Sequence, residues 1–124
     1  MVIEGRNEAP AAFISTVIEI SDTTTGLLAM PAEDAVELTS VLQALADPVR
    51  LQIVRELDGG DERSCGLFAL TVAPSTRSHH FRVLREAGVV RTRVAGTRRL
   101  VSVRRAELDR RFPGLLDAVL AAPR

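Results

Sequence analysis

Residues 74–88, reading Pro-Ser-Thr-Arg-Ser-His-His-Phe-Arg-Val-Leu-Arg-Glu-Ala-Gly, constrain this chain most, together with the arginine-rich run at 89–103. Phe81, Leu84 and Ala87 recur every three residues, a spacing that gathers them on one helical face, while Ser78, His79, Arg82 and Arg85 fall largely on the remainder. The pattern predicts a helix that packs with one side, keeps the other free to read a partner, and closes at Gly88. Two β-rich runs follow, 89–94 and 98–103, and the loop Ala95-Gly96-Thr97 between them predicts a hairpin.

The elements before and after fit around this pair. Leu38, Val41, Leu42 and Leu45 stand at i, i+3, i+4 and i+7, with Glu33 and Asp34 suited to the positive end of a helix, so residues 31–46 read as one amphipathic helix opened by Pro31. Asp47 is a capping residue and Pro48 a first-turn residue, so the chain restarts as a second helix over 48–57, with Val49, Ile53, Val54 and Leu57 inward and Asp58-Gly59-Gly60 as its stop. Residues 64–70 suffice for a short helix with Leu67, Phe68 and Leu70 buried, and Thr71-Val72-Ala73 is a connecting turn. Residues 106–121 are helical but interrupted at Phe112-Pro113-Gly114, which predicts a kink or two short helices. Residues 1–30 form an extension in which Phe13 to Ile20 reads equally as a short strand or as an arm that orders against a partner, and 31–121 form one domain. Lengthening a dimer interface is the expected use of this extension.

With 124 residues the chain fits one domain, and it lacks Trp and Tyr, so its core is aliphatic. The net charge of zero conceals an asymmetry: residues 1–62 hold twelve acidic side chains and three arginines, residues 63–124 four acidic side chains and thirteen arginines. A clustered positive charge steers phosphate-bearing partners. No run of eighteen apolar residues occurs and the N-terminus lacks a basic-then-apolar export pattern, so the expectation is a cytoplasmic protein with no membrane segment.

Three helices, a tight turn before a polar-faced helix and then a basic hairpin describe a mainly α fold with a small β-hairpin, the winged helix-turn-helix. A helix fits the DNA major groove with its polar face on base edges, while a basic hairpin lies beside the duplex against phosphate or the minor groove. The expected contacts to double-stranded DNA are Ser75, Thr76, Arg77, Ser78, His79 and Arg82 on the helix, with Arg91, Arg93, Thr97, Arg98 and Arg99 on the hairpin. Arg77 either reaches outward to a phosphate or loosens the helix packing.

At these residues the sequence resembles the ArsR/SmtB family of bacterial transcriptional repressors. The matching blocks are Ala-Leu-Ala-Asp-Pro-Val-Arg-Leu-Gln-Ile-Val-Arg-Glu-Leu at 44–57, Ser-His-His-Phe-Arg-Val-Leu-Arg-Glu-Ala-Gly-Val-Val at 78–90 and Gly-Thr-Arg-Arg at 96–99. The resemblance implies a homodimer built from the first and last helices, two reading helices presented to a palindromic operator, and repression relieved by an inducer that it does not identify. Leu38, Val41, Leu42 and Leu45 with Leu115, Leu116, Val119 and Leu120 would form that interface, although the second stripe also suits an intrachain core. Ala73-Pro74 where the family carries a small polar cap, and Arg77 where it carries an aliphatic residue, depart from its pattern.

No metal or other cofactor is expected. Ser64-Cys65-Gly66 offers one sulfur where thiolate sensors resembling the family's use Cys-x-Cys, the last helix has no histidine, and the adjacent His79 and His80 point about 100° apart around a helix. The adjacent histidines read instead as one toward DNA and the other packed or hydrogen-bonded. Cys65 is either a small core residue or a redox-sensitive thiol. No nucleophile-base, paired-carboxylate or phosphate-loop pattern marks an enzyme. The reading from another class is a winged-helix protein-interaction module whose hairpin arginines engage an acidic partner.

Overall fold

The computed structural model describes residues 26–60, 62–68 and 71–123. In chain order these give a 3₁₀ turn at Glu33–Ala35, α1 (Leu38–Leu45), α2 (Pro48–Leu57), β1 (Arg63–Ser64), a second 3₁₀ turn at Cys65–Leu67, α3 (Pro74–Glu86), β2 (Val90–Ala95), β3 (Arg98–Val103), α4 (Arg105–Arg111) and α5 (Leu115–Ala121).

The first helix is shorter than its periodicity predicts. Val36 and Glu37 are extended, so the expected helix over 31–46 becomes a 3₁₀ turn followed by α1. Tertiary contacts account for the break: Val36 is 2% exposed, and its carbonyl accepts a hydrogen bond from Arg111. At the next junction the local code holds. Asp47 caps α2, its Oδ2 accepting from the backbone N–H of Val49 at 2.9 Å and of Arg50 at 3.1 Å, with Pro48 in the first turn.

The expected two-turn helix over 64–70 is absent in that form. Arg63–Ser64 instead joins β3, with Arg63 opposite Val101 and Ser64 opposite Leu100, and only Cys65–Leu67 turns helically. Phe68 is buried as expected and meets Phe81 of α3 edge-on, ring centroids 5.3 Å apart, whereas Leu70 lies outside the described residues. Helix α3 then stops in a paired cap: the N–H of Val89 reaches the Leu84 carbonyl at 2.9 Å and that of Gly88 the Arg85 carbonyl at 3.0 Å. Gly88 has φ 87°, and a Cβ there would sit 2.6 Å from Val36 Cγ2, so conformation and space both require glycine.

The wing is the hairpin β2–β3, paired from Val90 opposite Val103 to Ala95 opposite Arg98, in an antiparallel sheet ordered β1-β3-β2. Beyond the free edge of β2, Leu27 bridges to Arg93, the Leu28 N–H donates to the Thr92 carbonyl and the Val94 N–H to the Gly26 carbonyl. The end of the expected extension therefore docks on the wing, while its expected strand or arm at Phe13 to Ile20 lies outside the described residues. The core joins Val41, Ala44 and Leu45 of α1, Ile53, Val54 and Leu57 of α2, and Phe81 and Leu84 of α3 to Val89, Val90, Val101, Leu108 and Leu116. A fully buried Leu84 contributes about 1.5–3 kcal/mol by leaving water. The predicted interruption of the last helix appears as α4 and α5, separated at Gly114 with φ 82°.

Candidate nucleic-acid interface

Helix α3 carries its apolar residues inward and leaves a polar face out. Phe81 and Leu84 are buried, while Ser75, Thr76, Ser78, His79 and Arg82 are exposed. The adjacent histidines divide between surface and core. His79 is outside, its Nδ1 3.2 Å from Arg82 Nη2; His80 is buried, its Nδ1 3.2 Å from Arg50 Nη1. A guanidinium can only donate, so each Nδ1 accepts and neither ring offers that nitrogen to a metal ion. Among the described residues no group of three or more His, Cys, Asp or Glu side chains is placed to hold one.

Arg50 is a positioning residue that the sequence reading missed. Its Nε donates to the Ala44 carbonyl at 2.7 Å and Nη2 to the Gln43 carbonyl at 3.3 Å, so one guanidinium joins the negative end of α1 to His80 in the middle of α3. Beside it, burial works to raise Asp47, but the N–H bonds from Arg50 and Val49 and the Arg50 charge outweigh it and hold the carboxyl below its ordinary range. The start of α3 is less fully held. Ala73 supplies no side-chain cap, so the N–H groups of the first turn remain open.

The hairpin sorts its arginines by face. Val90, Thr92 and Val101 are buried, so strand alternation puts Arg91 and Arg93 on the opposite side. There Arg91 Nη2 lies 3.2 Å from both oxygens of Glu107, and Arg93 holds Glu62 through Nε at 3.0 Å and Nη2 at 2.6 Å. The Arg93 hydrogen bond, working against burial, holds the Glu62 carboxyl below its ordinary range. Arg91 and Arg93 were expected at DNA, but both already have carboxylate partners within the chain. Thr97, Arg98 and Arg99 at the hairpin tip are exposed, and the side chains of Arg98 and Arg99 have no hydrogen-bond or ion-pair partner among the described residues.

Much of the sequence-level charge asymmetry is consumed in this way. Arg110 clasps Glu33 at 3.0 and 2.8 Å, Arg105 reaches Asp58, Asp109 and Asp117, and the buried Arg104 donates to the Pro31 carbonyl at 2.7 Å and to Glu107 at 3.3 Å. Arginines of the C-terminal half thus anchor acidic and backbone groups of the N-terminal half. The exposed positive charge left over concentrates on α3 and the wing tip.

The eight residues expected at a dimer interface also divide. Val41, Leu45 and Leu116 are core residues, 1%, 6% and 2% exposed, which leaves them almost no surface to offer a second copy. Leu115, Val119 and Leu120 are half-buried against the core, whereas Leu38 and Leu42, one turn apart on α1, are 44% and 43% exposed. Cys65 is half-buried; burial pushes its thiol up, against the pull of Arg99 and Arg77, which disfavours the reactive thiolate. No helix among the described residues is long and apolar enough to cross a membrane.

Comparison with known proteins agrees with this arrangement. Residues 45–93, from the end of α1 into β2, match the helix-turn-helix domain family. The chain is 37% identical over 82 residues to the uncharacterized HTH-type transcriptional regulator YceK of Bacillus subtilis (strain 168), an alignment covering 64% of this chain and 82% of that protein. Its fold is similar to the crystal structure of an ArsR family transcriptional regulator, with a TM-score of 0.56 and 23% identity over 65% of this chain and 90% of the other. The matched residues include both helices of the motif and the strand that opens the wing, and on this ground the chain belongs to the helix-turn-helix transcriptional regulators, with the winged fold of their ArsR type.

Proposed function

We propose that the protein is a repressor that binds a palindromic operator as a homodimer, each α3 entering a major groove and each wing tip resting on the flanking backbone. The observation that carries this reading is the combination on one molecule of a polar α3 face, Ser75, Thr76, Ser78, His79 and Arg82, with arginines at the wing tip that no carboxylate of the described chain engages. Ser78, His79 and Arg82 are the base-reading residues; Ser75, Thr76 and the open N–H groups of the first turn take a phosphate, as helix N-termini do. Thr97, Arg98 and Arg99 contact the backbone beside the groove, and Arg77 contributes charge from the root of α3. Arg91 and Arg93 hold the wing in place through Glu107 and Glu62 instead of touching DNA.

For the dimer, Leu38 and Leu42 on α1 supply the exposed apolar contact, with Leu115, Val119 and Leu120 at its border. Two copies related by a twofold axis would read half-sites about 34–36 Å apart. Mobility-shift titration on the DNA upstream of its own coding sequence tests the assignment. Arg82→Ala and His79→Ala are expected to weaken binding, Arg82→Ala by roughly 1–3 kcal/mol if it reads a guanine edge; full binding by both variants would overturn the assignment of α3.

A further inference from the structure

A cleft of about 250 Å³ lies between α3, the Cys65–Leu67 turn and the wing. It brings together Arg77 and Arg85 from α3, Arg99 from β3, the Phe81 ring, Cys65 and Thr92. Thr92 is 2% exposed, and its Oγ1 has no hydrogen-bond partner among the described residues. A buried hydroxyl left in that condition is destabilising, and an acceptor on a ligand would offset the cost. The guanidinium groups of Arg77 and Arg99 are likewise without hydrogen-bond or ion-pair partners among the described residues, and that of Arg85 commits only its Nε, to the Ala29 carbonyl at 3.1 Å. Burial draws Arg85 below the usual arginine range, and the Arg99 and Arg82 charges add to this against Glu86. Crowded cations and an orphaned donor are what a bound anion stabilises.

We propose that this cleft binds a small organic carboxylate, its acid group held by Arg77 and Arg99, its apolar body against Phe81 and Cys65, and one acceptor oxygen meeting the Thr92 hydroxyl. The volume lies below the roughly 300–1,000 Å³ of pockets for drug-sized ligands, so the ligand is compact. The aromatic and thiol walls give an apolar body something to cover, which inorganic phosphate would not use. Resting on the DNA-binding reading above, a regulatory consequence follows. Arg77, Ser78 and Arg99 border the cleft and also belong to the DNA-facing set, so carboxylate and operator compete for the same groups and each lowers the affinity for the other.

The test uses the full chain, first without DNA. Benzoate and phenylacetate, their neutral amides and inorganic phosphate are titrated at constant ionic strength while backbone and arginine side-chain NMR signals are followed. The carboxylates are expected to shift Arg77, Thr92 and Arg99 and to bind at least about tenfold more tightly than the amides, a difference of about 1.4 kcal/mol. Thr92→Val, which keeps the shape and removes the hydroxyl, is expected to weaken carboxylate binding several-fold without lowering the melting temperature. Equal binding of amides and carboxylates, no effect of Thr92→Val, absence of these shifts with either carboxylate, or phosphate shifting the same residues as strongly would each overturn the proposal. A second arm adds operator DNA: undiminished DNA affinity in saturating benzoate overturns the competition. Intact carboxylate binding in a chain that binds no DNA would strike the regulator reading and support the site.

Discussion

Arg50 and Asp47 show how much of the placement of α3 is set by residues outside it. Asp47 was legible as a cap because Asp-Pro after an amphipathic run is a local signal. Arg50 was not: it ties the Gln43 and Ala44 carbonyls to His80, thirty positions away, and nothing in its own neighbourhood encodes that reach. Thr92 was equally silent, since a hydroxyl with no partner among the described residues arises only after β2 packs on α3. Two outcomes belong at this scale. Asp47→Ala is expected to cost about 1 kcal/mol of stability in urea denaturation, the usual worth of such a cap. The second concerns acid. Asp47 and Glu62 have folded values depressed below their ordinary 3.8 and 4.5, so their stabilisation is complete above those values and disappears as pH falls through the depressed ones. A melting-temperature series should therefore decline on acidification from about pH 5 downward, and the Asp47→Ala variant should decline less steeply.

Among the elements, α2, α3 and the hairpin were readable because periodicity, capping and turn chemistry agree within each. The breaks came where tertiary contacts decided. Residues 31–37 have helical composition, yet Val36 is buried beside Gly88 and its carbonyl is taken by Arg111, so the chain extends before α1. Arg63 and Ser64 are too few to announce a strand and pair only because β3 offers an edge. Helix α3 departs from the usual start, and on the proposed reading the departure has a measurable consequence. Its cap position is Ala73, and the open first turn is where a phosphate would sit. Ala73→Asp should close that turn, raising stability by about 0.5–2 kcal/mol, while weakening DNA binding by filling the position with a negative charge. A thermal shift and a DNA titration on the same preparation check both; a variant that gains stability and keeps full affinity would remove the first turn from the interface.

At the scale of the molecule, the opposed charges of the two halves were visible in the sequence, but their destination was not. Folding pairs Arg93 with Glu62, Arg105 with Asp58 and Arg110 with Glu33, so the asymmetry along the sequence overstated the unpaired positive charge, and Arg91 and Arg93, expected at DNA, also hold carboxylates within the chain. The same step converts three of the eight residues of the apolar stripes into core. Leu42 remains outside, and Leu42→Glu is expected to shift the protein from dimer to monomer in sedimentation-velocity experiments, whereas Glu37→Gln on the same surface should leave it dimeric. A wild-type chain that sediments as a monomer at micromolar concentration would remove the twofold operator from the account.

The central claim, that α3 and the wing tip read DNA while Arg91 and Arg93 brace the wing, is tested most directly by fluorescence-anisotropy titration of the upstream DNA and a shuffled duplex across a salt series. The account predicts tighter binding to the upstream sequence, with affinity falling by about 10³–10⁵ between 50 and 200 mM salt if a dimer makes 6–10 phosphate contacts. It also predicts a shallower salt slope for Arg98→Ala and Arg99→Ala and an unchanged slope for Arg93→Ala. Equal affinity for both duplexes, or a slope that Arg93→Ala changes and Arg99→Ala does not, would contradict it.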